Sequence, residues 1–149
     1  SAGWKFSEYE MKGVPLRLEI GPKDIEKNQC VLVRRDNREK SFINLDELET
    51  AIDALLKDIS KSLYNKALDN LNRRTYKCLT MDEITDVLAK KGDGFIKAMW
   101  CGSEECEDKV KELTGVGSRC IPFEQENIGD RCVCCGKPAK MMVYWGKAY

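Results

Sequence analysis

Apolar and polar side chains alternate in the first part of the chain. Within residues 14–20, Leu16 and Leu18 share one face of an extended segment, while charged residues occupy the other face. A period of two is typical of a strand with one buried face. Two more apolar runs, residues 29–33 and 40–43, come after a Gly-Pro step and a polar hairpin, respectively. The pattern therefore predicts three strands in this part of the chain.

A helical period replaces the strand pattern after Asn44. Asn44 and Glu47 have the spacing of a capping box, in which two side chains satisfy backbone N–H groups at a helix start. Apolar positions then recur every three or four residues to about Arg74, so we expect one long helix with one face on the sheet. These positions are Leu48, Ile52, Leu55, Ile59 and Leu63, with Ala51, Leu56, Ala67, Leu68 and Leu71 beside them.

The rest of the chain predicts shorter elements. Thr80 and Glu83 form a second capping box before a short helix that ends at Gly92. The next elements expected are a strand in 94–100, a helix in 103–113 and strands in 117–123 and 139–145. The expected fold is therefore α/β followed by α+β, with domains at 3–76 and 77–149. A three-stranded antiparallel sheet with two short helices buries little surface, and a domain of that size usually needs disulfides or a bound metal ion for stability.

Composition narrows the classes of function. The 149 residues include 25 basic and 25 acidic side chains, so the net charge is zero, and bulk attraction to nucleic acid, DNA included, is not expected. The absence of His excludes imidazole bases and imidazole metal ligands. The apolar runs are too short to cross a bilayer, and residues 1–13 lack a secretory core. We therefore expect no membrane partner and a reducing, cytoplasmic location.

The cysteines carry the clearest chemistry in the sequence. Cys101 and Cys106 are separated by four residues, and Cys132 and Cys135, in the run CVCCG, by two. Zinc is commonly held by four thiolates supplied as two such pairs. Gly136 allows the chain to turn after the second pair. Because four protein ligands leave no position for water, the expected zinc site is structural and would staple the second domain.

Two other uses of these thiols stay open: a set of disulfides, or a redox pair made by Cys132 and Cys135. Cys134 could also replace Cys132 as a ligand. Neighbouring residues rarely direct both sulfurs at one metal, however, so the pair of Cys132 with Cys135 is preferred. The remaining thiols have no expected chemical role; they are Cys30, Cys78, Cys120 and Cys134. Cys30 and Cys120 lie in apolar strand contexts and are expected in the core, as free cysteines commonly are.

Several stretches together resemble a known family. GWKFSEYEMKGVPLRLEIGPKD, residues 3–24, and VLVRRD, residues 31–36, resemble the C-terminal anticodon-binding domain of class II prolyl-tRNA synthetases. The spacing of the four cysteines and the ending YWGKAY resemble the zinc-binding extension of the archaeal and eukaryotic-type branch. The resemblance covers the chain from Gly3 to Tyr149.

The resemblance implies that the chain is the later part of an enzyme that attaches proline to tRNA. The first domain would be part of the family's mixed-sheet anticodon-binding fold, and the second a small zinc-stapled domain. The catalytic domain, with ATP and Mg²⁺, would lie upstream, since the sequence has no P-loop and no class II catalytic motif. The chain alone would then be inactive. Its partners would be proline tRNA and the catalytic domain of the same enzyme, in a homodimeric parent.

The resemblance also implies which residues face the tRNA. The strand and turn RLEIGPKD would meet the anticodon loop, whose unpaired bases expose hydrogen-bonding edges to carboxylates and guanidinium groups. The implied contacts are Arg17, Glu19, Lys23, Asp24, Arg34 and Arg35. Taken alone, the same charges also fit a solvated strand face. The carboxylate of Tyr149 would approach the active site of the catalytic domain.

Aromatic residues and one rival function complete these expectations. Core filling is preferred over base stacking for the aromatic residues of the second domain's strands, which are Phe95, Trp100, Tyr144 and Trp145. An N-terminal helix is expected to pack through Trp4, Phe6 and Tyr9, either against the sheet or against the missing catalytic part. The rival function is a freestanding structural zinc module for protein–protein contact, with the strand face of residues 16–20 as its interface.

Overall fold

The computed structural model describes residues 1–148 of the chain. It contains two compact units, Ser1–Leu68 (unit 1) and the residues from Asp69 onward (unit 2). The division falls inside one continuous helix. The domain limits 3–76 and 77–149 stay a prediction. In the part of the chain that the structure describes, no helix is both long enough and apolar enough to span a membrane.

Unit 1 is a three-stranded antiparallel sheet in the order β1-β2-β3, with helices before, between and after its strands. Its elements are α1 (Ala2–Met11), β1 (Leu16–Glu19), α2 (Pro22–Glu26), β2 (Gln29–Arg34), β3 (Lys40–Asn44) and α3 (Leu48–Arg73). The three predicted strands are confirmed, and so is the α/β class. In the described residues of unit 1 every strand pairing is antiparallel, so the mixed sheet that the resemblance implies is not seen in this stretch.

The short helix α2 was not predicted. Pro22 occupies its first turn, where the missing N–H costs nothing. The Asp24 carboxylate accepts a hydrogen bond from the Gly21 backbone N–H at 3.0 Å. In the sequence, the Gly-Pro step indicates only the end of a strand.

The long helix is confirmed, but the part of it that packs on unit 1 is shorter than predicted. In unit 1 only Ile59 of α3 is fully buried, and Ile52 and Leu55 are half-buried. Leu63 and Leu68, which were expected on the sheet-facing side, are exposed. The apolar stripe therefore packs over the first part of the helix alone.

The N-terminal helix α1 is confirmed, but the sheet, one of its two expected packing partners, buries little of it. Trp4 is 65% and Tyr9 54% exposed, so neither ring is buried in unit 1. Phe6 is half-buried, and the Arg17 guanidinium carbon lies 3.9 Å from its ring centre.

Unit 2 is an α+β unit whose sheet has the order β4-β5-β7-β6. Its elements are β4 (Thr75–Lys77), α4 (Met81–Lys91), β5 (Phe95–Trp100), α5 (Glu104–Thr114), β6 (Val116–Cys120) and β7 (Met141–Lys147). The three predicted strands are antiparallel neighbours, as expected. A fourth strand, β4, adds to the edge and runs parallel to β5. Three residues directly after a helix are too few to show a period, so the sequence gives no signal for it.

One face of the unit 2 sheet forms the core with α4 and α5. Ile96, Val143 and Trp145 from the strands pack with Ile84 and Val110 from the helices. The loop in 121–131 approaches the opposite face at Gly129, where an added Cβ would lie 4.0 Å from Met99 Cγ. The same loop bonds to the sheet edge, since the Gln125 side chain accepts from the Met142 backbone N–H at 2.7 Å and donates to its carbonyl oxygen at 3.3 Å.

The predicted limits of α4 are confirmed in detail. The Thr80 hydroxyl accepts a hydrogen bond from the Glu83 N–H at 3.2 Å, and the Glu83 carboxylate accepts one from the Leu79 N–H at 2.6 Å. Gly92 ends the helix at φ 76°, a conformation that glycine adopts without strain.

Candidate metal centre and anticodon interface

Unit 2 brings together four cysteines that are distant in sequence. The Sγ atoms of Cys101, Cys106, Cys132 and Cys135 all lie within 4.8 Å of one another. The Cys101 sulfur is 3.7 Å from that of Cys106 and 3.8 Å from that of Cys135. A metal bound to sulfur at about 2.3 Å in a tetrahedron has sulfur–sulfur edges of about 3.8 Å. The four cysteines are therefore positioned to bind a metal ion.

Three elements deliver these sulfurs. Cys101 directly follows β5, Cys106 lies in the first turn of α5, and the other two flank a tight turn before β7. The turn is closed by the Gly136 N–H, which donates to the Cys132 carbonyl at 3.0 Å, while Gly136 has φ 68°. A residue with a side chain would be strained in that conformation, which explains why a glycine follows Cys135.

Backbone donors surround the Cys132 sulfur. Burial disfavours its thiolate, but the N–H groups of Cys135, Cys134 and Cys101 face the sulfur and lower the pKa of the thiol to about 7. Donors aimed at a sulfur stabilise the thiolate, which is the form that binds metals. The surroundings of Cys132 thus favour a thiolate ligand, whereas burial raises the pKa of the Cys101 and Cys106 thiols.

The same distances argue against the disulfide alternative. A disulfide needs a sulfur–sulfur distance of about 2.0 Å, whereas all eight cysteines of the chain are free. The sulfur of Cys134 does not belong to the four-sulfur group, since that residue is half-buried against the core of unit 2.

The expectation for the other thiols is partly wrong. Cys30 is fully buried, as predicted. Cys78 is also fully buried, and burial raises the pKa of its thiol to about 11. Cys120 is exposed instead. It ends β6, an edge strand that carries a register shift between Ser118 and Cys120, so its apolar neighbours in sequence do not place it in the core.

The aromatic residues of unit 2 divide between the two faces of the sheet. Trp145 is fully buried and lies edge-on to Trp100, with ring centres 6.5 Å apart, so both belong to the core side as expected. Phe95 is 38% exposed and Tyr144 half-buried, and they contact each other on the opposite face. The expectation that these two rings fill the core is wrong.

Arg17, the first of the expected tRNA contacts, is held by two carboxylates. Its Nη1 donates to Glu10 at 2.8 Å and its Nε to Glu19 at 2.9 Å, while its guanidinium stacks on Phe6. Glu10 also pairs with Arg38, and its carbonyl accepts a hydrogen bond from Arg35 at 3.4 Å. Glu10 therefore organises this charged surface.

The sequence did not single out Glu10. It lies on α1, seven positions before Arg17, and neither period nor motif connects the two. The Arg17 guanidinium and then Arg38 hold the pKa of the Glu10 carboxyl below its ordinary value, so that carboxyl stays ionised at neutral pH.

Arg34 has a structural role that the sequence did not predict. It is only 6% exposed, and its Nε and Nη2 donate to the two carboxylate oxygens of Asp36 at 2.9 and 2.8 Å. Its Nη1 donates to Asp58 on α3 at 2.5 Å. Each guanidinium nitrogen thus donates one hydrogen bond within unit 1, which uses three of the five N–H groups of this side chain.

The remaining expected contacts differ in how far they are held by neighbouring groups. Asp24 caps α2 and accepts a hydrogen bond from Gln29 at 3.4 Å. Lys23 and Arg35 are exposed cations, and Glu19 is half-buried beside Arg17. The expected contact through Tyr149 lies outside the described residues.

Comparisons with known proteins identify the family. Residues 81–149 match the family model described as "Prolyl-tRNA synthetase, C-terminal", and residues 1–55 match "Anticodon binding domain". The chain is 63% identical over 147 residues to a proline–tRNA ligase of Ruminiclostridium cellulolyticum, and 60% identical to one of Clostridium botulinum. Each match covers 99% of this chain and 30% of the relative.

A solved structure agrees with this assignment. The crystal structure of prolyl-tRNA synthetase from Cryptosporidium parvum, complexed with L-proline and AMP, superimposes with a TM-score of 0.89 at 38% identity. The match covers 99% of this chain and 31% of that one. The chain thus spans about 30% of the length of the curated relatives that it matches. It belongs to the prolyl-tRNA synthetase family and corresponds to the anticodon-binding and C-terminal regions.

Proposed function

We propose that this chain supplies tRNA selection and structural support to a ligase that attaches proline to tRNA with ATP. The main support is the 63% identity over 147 residues with a proline–tRNA ligase. In this proposal unit 1 contacts the anticodon of proline tRNA. ATP and Mg²⁺ act in the catalytic region of the ligase, outside this chain, which alone has no aminoacylation activity. The ligase is a cytoplasmic homodimer whose catalytic region is the second partner of this chain.

The metal in this proposal is zinc, held by Cys101, Cys106, Cys132 and Cys135. Four sulfurs at separations close to a tetrahedral edge favour zinc over the hard cations Mg²⁺ and Ca²⁺, which prefer oxygen ligands. With four protein ligands the ion would have no open position. Its contribution is therefore to folding: it ties the end of β5, the start of α5 and the turn before β7 into one unit.

The anticodon interface in this proposal is the charged surface around Arg17. Lys23 and Arg35 are exposed cations, suited to phosphate oxygens or base acceptors. Glu19, fixed by Arg17, offers a carboxylate that accepts hydrogen bonds from base amino groups. Asp24 and Arg34 hold the backbone of this surface in place through their internal hydrogen bonds.

We expect the chain to bind proline tRNA in preference to a tRNA with another anticodon. Lys23→Ala and Arg35→Ala should each weaken that binding severalfold, because each removes an exposed positive charge. Filter binding at two salt concentrations measures both effects. Lys61→Ala, which removes another exposed lysine of unit 1, is the matched control and should leave the affinity unchanged.

Equal binding to all tRNAs would contradict the proposal and favour the rival, a freestanding zinc module for protein–protein contact. Equal losses for Lys61→Ala and Lys23→Ala would show that only overall charge matters. If preference for proline tRNA is kept while only Lys23→Ala and Arg35→Ala weaken binding, the anticodon interface is supported.

A further inference from the structure

The sheet of unit 2 carries an aromatic pair on the face away from its core. Phe95 on β5 and Tyr144 on β7 have ring centres 6.3 Å apart, at an interplanar angle of 82°. Their neighbours Ile96 and Trp145 are buried on the opposite face, as the alternation of a strand requires. Neither the four cysteines nor the hydrophobic core uses the two rings. Phe95 and Tyr144 are therefore available to a ligand.

One side of the Phe95 ring is left open by a glycine. Gly146 on β7 is the cross-strand partner of Phe95, and a Cβ built there would lie 3.4 Å from Phe95 Cδ1. A cleft of about 710 Å³ opens at this point, lined by Phe95, Gly146, Leu71 and Arg119 among others. That volume lies in the range of clefts that hold small ligands or single nucleotides.

Positive charge surrounds the pair, although the chain as a whole is neutral. The Arg119 guanidinium donates to the Gly146 carbonyl at 2.8 Å, which fixes it at the edge of the cleft. On the other side, Lys97 Nζ lies 5.3 Å from the Tyr144 ring centre. The cations around the two rings are Arg74, Lys77, Lys97, Arg119 and Lys147, and the carboxylates are Asp93 and Glu126.

Glu126 is the carboxylate that pairs with the lysines of this face. Its carboxylate pairs with Lys77 and with Lys97, the latter at 3.0 Å. A phosphate that approached these lysines would have to compete with it. The carboxylate thus weakens the attraction of this face for anions without being part of the core.

We propose that this outer aromatic face, made of Phe95, Tyr144, Lys97 and Arg119, binds single-stranded RNA. A base stacks on Phe95 in the cleft beside Gly146, and Arg119 and Lys97 hold phosphates on either side of it. Exposed aromatic rings on neighbouring strands, flanked by cations, bind unpaired bases with little sequence preference. Cations on both sides of the rings suit a polynucleotide rather than a free nucleotide. This site lies in unit 2 and does not depend on the anticodon interface of unit 1.

Titration of the chain with a fluorescein-labelled RNA made of eight adenines tests the proposal, because that probe has no proline anticodon. Phe95→Ala should weaken binding about tenfold through the loss of stacking. Phe123→Ala removes a fully exposed ring from the loop in 121–131 and should have no effect. Circular dichroism checks that each variant is folded.

Two charge variants test the proposal even if the Phe95→Ala variant does not fold. Arg119→Gln should weaken binding and lower the slope of log affinity against log salt by about 0.7, the value for one phosphate on a single strand. Glu126→Gln removes the competing carboxylate, so it should strengthen binding severalfold. A purely structural role for Glu126 predicts no gain of affinity.

The proposal is overturned if the octanucleotide does not bind, or if Glu126→Gln and Arg119→Gln both leave its affinity unchanged. Competition by AMP at the same concentration as the octanucleotide would assign the cleft to a free nucleotide instead and would also overturn it. Equal binding of a duplex of the same length would exclude base stacking. Loss of octanucleotide binding in Arg119→Gln, with proline tRNA preference unchanged, would support the site and separate it from the anticodon interface.

Discussion

Replacing Cys106 by Ser is expected to unfold unit 2 and to remove its metal. We expect the unaltered chain to hold about one zinc ion, and the variant to hold almost none. Structural zinc supplies about 10–16 kcal/mol of apparent binding free energy in small peptides, as much as the whole stability of a typical domain. A small unit with a four-stranded sheet should not stay folded without it.

The measurement is metal content together with tryptophan fluorescence. Trp145 is fully buried in unit 2, so unfolding should shift its emission to longer wavelength. Cys120→Ser changes an exposed thiol outside the four-sulfur group and is the matched control. A chelator should reproduce the effect of Cys106→Ser on the unaltered chain. A Cys106→Ser chain that keeps both its zinc and its buried tryptophan would refute the metal site, and metal-free folding of the unaltered chain would leave the redox alternative standing.

The second large effect is expected in unit 1. Asp36→Ala should destabilise this unit by about 3 kcal/mol, because it leaves the buried Arg34 guanidinium without its bidentate partner. Asp58→Ala removes the other partner, whose side chain is 60% exposed, and should cost about 1 kcal/mol or less. Hydrogen exchange of the β2 backbone amides measures unit 1 separately from unit 2.

The pH dependence of this effect has a definite sign. The hydrogen bonds from Arg34 hold the pKa of the Asp36 carboxyl below its ordinary value of 3.8. A lowered folded-state pKa means that the stabilisation is complete above the ordinary value and is lost as the pH falls through the folded value. The difference between the unaltered chain and Asp36→Ala should therefore shrink in acid, below about pH 4. A difference that does not change with pH would show that packing, rather than the ion pair, is responsible.

Local signals in the sequence predicted most of the elements. The capping box at Thr80 and Glu83 and the glycine at position 92 placed α4, since caps and their glycines act within one turn. The pairwise spacing of the cysteines likewise predicted the four-sulfur group. The two members of each pair lie close together in the sequence, so only the meeting of the two pairs depends on the fold.

Contacts between positions that are distant in the sequence could not be predicted from local patterns. Arg34 and Arg35 are adjacent and chemically identical, yet one is buried against Asp58, 24 positions later, and the other is exposed. The difference arises from strand alternation and from where α3 crosses the sheet, which no local pattern records. The same holds for Tyr144 and Trp145, since register alone decides which ring enters the core.

The Gln125 side chain has a consequence for solubility. β6 pairs with β7 only over residues 144–147. Met142 lies before that paired part, so its backbone N–H and carbonyl would otherwise be an open strand edge. Open edges recruit strands from other molecules and start aggregation. One amide group, donating and accepting as a peptide bond does, closes that edge where the strand β6 has ended.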